Sequence, residues 1–94
     1  MRSMPWNENL WRKLKDAISP MPPFVRQQAL RTIVEASEAL AQERGSEVVE
    51  EEDLVKTAKT KIPARSRQRM LDNLAEVGIN VKEVEGSKPE SGNR

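Results

Sequence analysis

The chain has no cysteine, no histidine and no tyrosine, and only one phenylalanine. The missing cysteine removes disulfides, thiolate catalysis and cysteine-held clusters together. The missing histidine restricts more, because it takes away the usual general base and the commonest metal ligand. Ser19, Ser37, Ser46 and Ser66 therefore have no imidazole to activate them. Glycine is scarce too, and the four at positions 45, 78, 86 and 92 are too scattered for a phosphate-cradling loop. No apolar run approaches the ~18 residues of a membrane span. The stretch Met1–Trp6 lacks the apolar core of a signal peptide. Neither sign of charge dominates: 16 basic and 15 acidic residues leave +1, which weighs against bulk attraction to DNA or to an anionic membrane. These absences predict a soluble, cytoplasmic, non-enzymatic protein without cofactor or metal, acting by binding.

What is present reads as helix. A chain of 94 residues makes one domain with a thin core. Asn7 is a good N-cap, and Leu10, Trp11, Leu14, Ala17 and Ile18 follow at three- and four-residue steps, predicting a helix from Glu8 to Ser19. Pro20, Pro22 and Pro23 stop it in a stiff link, and Pro23 suits the first position of the next helix. That second helix should run from Pro23 to Arg44. Val25, Ala29, Ile33, Ala36 and Leu40 mark one face, and Phe24, Leu30, Val34 and Ala41 widen it. Gly45 follows as a left-handed cap.

The acids Glu50, Glu51, Glu52 and Asp53 lead into a third helix expected from Glu51 to Lys61, with lysines toward its end to match the macrodipole. Pro63 ends it. A fourth helix is expected from Ala64 to Glu76, stopped by Gly78. The alternation Ile79–Val84 suits a short strand or an extended arm, and a β-bridge is expected near Val48. The fold class is all-α: three core helices plus a C-terminal helix, one domain over residues 1–85. Residues 86–94 contain no apolar side chain and are expected to form a disordered tail.

Three clusters are candidates for chemistry. The acids at 47 and 50–53 lack the alternating ligands and central glycine of a calcium loop, and read as a charged helix start. Lys56, Lys59, Lys61, Arg65, Arg67 and Arg69 fall within fourteen residues that contain no acid. Such a segment could neutralise phosphates. It has no aromatic platform beside it and reads more simply as a solvated face. Trp6 and Trp11, five apart around the start of the first helix, read as core and lid sooner than as a ligand cage. Trp6 is expected over the corner Pro22-Pro23-Phe24, where Arg26 adds a cation; Trp6, Phe24 and Arg26 are thus the candidate binding residues.

The run from Trp6 to Lys59 resembles the C-terminal domain of the B subunit of light-independent (dark-operative) protochlorophyllide reductase. The matching pieces are Trp6, Leu14, Pro23-Phe24-Val25-Arg26, Glu35, Ala39, Gly45, Val48-Val49, Glu52-Asp53-Leu54 and Ala58-Lys59. They cover a little over half the chain. The resemblance implies an appended helical module near subunit contacts and substrate, with Pro23, Val25, Glu35 and Gly45 as framework and no catalytic residue. The relatives' cluster ligands and substrate cavity lie mainly in a larger body with no counterpart in this sequence. The leading expectation is a non-catalytic module that docks on a protein or covers a tetrapyrrole-like ligand. The alternative is a nucleic-acid-binding helical domain using Lys56, Lys59, Arg65 and Arg67. The order of helix, long helix and helix also resembles, superficially, a histone fold.

Overall fold

Asn7 opens the first helix with its own side chain: Oδ1 accepts from the backbone N–H of Asn9 at 3.0 Å and of Leu10 at 3.2 Å. Behind it α1, Glu8–Ile18, buries Leu10, Leu14, Ala17 and Ile18 as a single stripe. The computed structural model describes residues 2–81. Three more helices follow: α2 (Pro23–Glu43), α3 (Glu51–Thr60) and α4 (Ala64–Glu76). All four expected helices form. The first three stop one residue short of the expected ends, because Ser19, Arg44 and Lys61 serve as C-caps.

Glycine ends two of them by the same mechanism. Gly45 has φ +80° and Gly78 has φ +96°, a region that side chains disfavour. After α2, Ser46 N–H donates to Ala41 C=O at 2.9 Å and Gly45 N–H to Gln42 C=O at 3.0 Å. After α4, Ile79 N–H donates to Leu74 C=O and Gly78 N–H to Ala75 C=O, both at 3.0 Å. Each pair is a Schellman cap, and in the second the buried Ile79 is the apolar residue that usually completes one.

The helices form one all-α bundle. α2 packs on α1 and α3, and α4 packs on α1 and α3, with little direct packing between α2 and α4. Leu14, Ile18, Ile33, Leu54 and Leu74 are the largest wholly buried side chains, so every helix feeds one core. No helix among the described residues is long and apolar enough to cross a membrane.

The expected β-bridge forms at Val49, and its partner is Trp6 in parallel. Val49 N–H donates to Pro5 C=O at 3.0 Å, and Asn7 N–H to Val49 C=O at 3.3 Å. Of Ile79–Val84, expected as a short strand or an extended arm, residues 79–81 are described. Residues 79–81 form no strand, because Ile79 is committed to the cap of α4. The rest of that expected strand, and the expected tail 86–94, lie outside the described residues.

Candidate functional site

The bridge pulls the residues before α1 across the late turns of α2, and this decides the position of Trp6. The Trp6 indole N–H donates to a Glu38 carboxylate oxygen at 2.9 Å. Its ring meets Trp11 edge-on, with centroids 5.1 Å apart, and the residue is only 4% exposed. The Ser3 hydroxyl and backbone N–H donate to the same carboxylate, and the Arg2 guanidinium lies 4.5 Å from the Trp11 ring centroid. Burial pushes the Glu38 carboxyl pKa upward. The hydrogen bonds from Ser3, Trp6 and the backbone outweigh that and hold it below its ordinary value.

This overturns the expected position of Trp6 over the proline corner. Glu38 lies fourteen residues beyond Phe24 on α2, which separates them by about 21 Å along the axis. A buried indole N–H needs an acceptor. The acceptor, and the strand edge at Val49, are both at the far end of α2.

At the near end, Phe24 is 70% exposed and Val25 is 46% exposed. Phe24 does not widen the core face of α2, as its place in the apolar pattern predicts. α2 is 21 residues long against 10 for α3, and its fully buried residues all lie from Ile33 onward. About the first two and a half turns therefore lie outside the part of the helix that the core covers. Arg26 holds this corner in shape: its guanidinium donates to Ser19 C=O at 3.2 Å and to Met21 C=O at 3.3 Å. It thereby ties the end of α1 and the proline link to the start of α2. Pro23 takes the first helical position, with no capping side chain before it.

Beside Val25 a hollow of about 480 Å³ opens, bordered by Pro20, Met21, Pro22, Arg69 and Met70. It continues into a second of about 290 Å³ along Ala29, Thr32, Ile62 and Pro63. This groove lies between the first half of α2 and the face of α4 that carries Ser66, Met70 and Asn73. Reading the sequence missed it because Met21, Val25 and Met70 belong to three separate segments. Only their convergence makes a surface.

The remaining candidates are dispersed. Glu35 is exposed, and it forms no ion pair with Arg31, one turn before it on α2. The acid that α2 buries is Glu38, three residues further on. Gly45 is the cap already described. Lys56 borders a hollow with Glu43, Glu52 and Asp53, so acids stand next to it. Arg67 turns back to donate to Ile62 C=O at 3.0 Å, Lys59 is half-buried, and Arg65 is exposed on α4. These four cations are therefore not gathered into one uninterrupted basic face.

The acids after Gly45 do structural work. Both oxygens of the buried Asp53 accept from the Arg44 guanidinium at 2.7 Å, and Glu52 adds an ion pair at 3.2 Å. Asp53 also accepts from Glu50 N–H at 2.9 Å, closing the first turn of α3. The hydrogen bond to Asp53 raises the Arg44 pKa, with smaller support from the charges of Asp53, Glu52 and Glu50 and against the opposing effect of burial. Glu51 accepts from Asn80 N–H at 2.7 Å and so fastens the chain after α4 to the start of α3. Compared with protein-family models, curated proteins and solved structures, the chain matches none of them.

Proposed function

We propose that this chain is a non-catalytic interaction module whose contact surface is the Phe24–Val25 corner. One observation carries the reading: two consecutive large apolar side chains stand exposed, 70% and 46%, on a part of the fold held rigid by prolines and by Arg26. A rigid apolar anchor loses little entropy on binding, which favours its use as a hot spot. The absence of histidine and cysteine supports a role without chemistry of its own.

The same corner is Pro23-Phe24-Val25-Arg26, which together with the spacing that follows it carries the resemblance to the protochlorophyllide reductase domain. That resemblance supports an accessory role beside tetrapyrrole reduction, with a protein or a tetrapyrrole-like ligand as the contacted molecule. Phe24 and Val25 are the anchors. Arg26, and not Trp6, is the other candidate residue at this corner.

A tagged chain should retain partners from its native lysate, and Phe24→Ala with Val25→Ala should release them while leaving the thermal midpoint unchanged. For the ligand form, protoporphyrin should show a saturable absorbance shift that the same double variant abolishes. Capture and absorbance shift both indifferent to the two substitutions would rule the corner out.

A further inference from the structure

The groove beside that corner has a one-sided charge pattern. Its lining includes one charged side chain, Arg69, and no carboxylate. Arg69 forms no ion pair with another described residue, and neither does Arg65, one turn earlier on the same exposed stripe of α4. The floor is soft and apolar: Met21, Val25, Ile62 and Met70. Methionine adapts its shape to whatever fills the space beside it. The walls are two helices that each pack on α1 and α3 and scarcely on each other, so the gap runs along two helix surfaces.

We propose that this groove docks an acidic segment of a partner protein, with large apolar side chains seated against Met21, Val25 and Met70 and carboxylates on Arg69 and Arg65. The inference rests on the interaction-module reading above and names the partner's chemistry. Charge complementarity selects this occupant. A second copy offering its own exposed apolar segment would bring Phe24-Val25 with Arg26 beside it, and the nearest acid on α2 is Glu35. Cation would then face cation. A polyanion without apolar groups would pair with the arginines and leave the hollow unfilled.

The test uses the full chain and two synthetic helix-forming peptides that share one leucine pattern, one carrying glutamates and the other lysines. The glutamate peptide should shift the NMR signals of Val25, Ser66 and Met70 saturably and bind about tenfold tighter than the lysine peptide, a difference of ~1.4 kcal/mol. Arg69→Glu changes an exposed residue. It should reverse that preference, and Val25→Asp should weaken both peptides.

Equal affinity for the two peptides, or shifts confined to another face, overturns the proposal. So does concentration-dependent shifting of the same residues without peptide, abolished by Val25→Asp, which would assign the groove to a second copy. Retained Phe24-dependent capture with no acidic preference would sink this inference alone. Loss of that dependence in both capture and the absorbance shift would sink the module reading itself.

Discussion

Glu38 shows how much one side chain can settle. Its carboxylate collects the Trp6 indole and the Ser3 hydroxyl and backbone N–H, so it fastens the residues before α1 to α2. Glu38→Ala should destabilise the fold by about 1–3 kcal/mol, since it strands a buried indole donor. The lowered native pKa gives this contribution a pH signature. The group stabilises the fold above the ordinary carboxylate pKa and loses that contribution as pH falls through the lowered native value. Urea midpoints of wild type and Glu38→Gln should therefore converge in acid, and a gap independent of pH would contradict the assignment. Gly45 makes a simpler case. Nothing lies within 4 Å of where a Cβ would stand, so only the positive φ of +80° penalises a side chain. Gly45→Ala should cost about 1 kcal/mol by chemical denaturation. The glycine was legible in the sequence because a cap is local. Glu38 was not, because its donors lie more than thirty residues away.

The junction of α2 with α3 joins these two helices through Arg44 and Asp53. Asp53 is 2% exposed while the Arg44 side chain is 36% exposed, so the pair is half in water. Arg44→Ala should cost about 1.5–3 kcal/mol, the range for a charged hydrogen bond, and less than breaking a fully buried pair. Arg44→Lys should recover only part of it, since lysine cannot donate side by side to both oxygens. Denaturation midpoints of the two variants give both numbers. The sequence showed that acids begin α3, and the macrodipole accounts for their presence. It did not show that Asp53 turns inward while Glu51 and Glu52 face solvent. The buried hydroxyl pair Ser37–Thr57, 3.0 Å apart between the same two helices, was invisible for the same reason.

Seen as a whole, the bundle is closed at one end by Trp6 and open at the other beside Phe24. Trp6→Ala should cost about 3–5 kcal/mol, the usual range for truncating a buried aromatic. That is a large fraction of the 5–15 kcal/mol typical of a domain, roughly, and thermal or urea unfolding would measure it. A loss below about 1 kcal/mol would mean that the residues before α1 are not part of the core in solution. The charge distribution yields a second expectation at this scale. Lys56 stands beside acids and Arg67 is turned onto a carbonyl. Duplex DNA should thus bind no tighter than about 100 μM at physiological salt. Submicromolar binding with a steep salt dependence, lost when Lys59, Arg65 and Arg67 become alanine, would reverse this expectation.

The sequence by itself determined the four helices and, to within a residue, their ends, because stripes, caps and prolines act over a few residues. Asn7, Pro23, Pro63, Gly45 and Gly78 mark boundaries whatever the rest of the chain does. Its length of 94 residues also pointed to one domain with a thin core. Only the tertiary structure decided which apolar residues that core leaves out. Trp6 and Phe24 look equally eligible for burial in the sequence. Val49 and Glu38 supply Trp6 with a strand edge and an acceptor, whereas Phe24 stands on turns of α2 that bury no residue fully. Whether an aromatic becomes core or surface depends on partners distant in the chain, and local pattern holds no record of them.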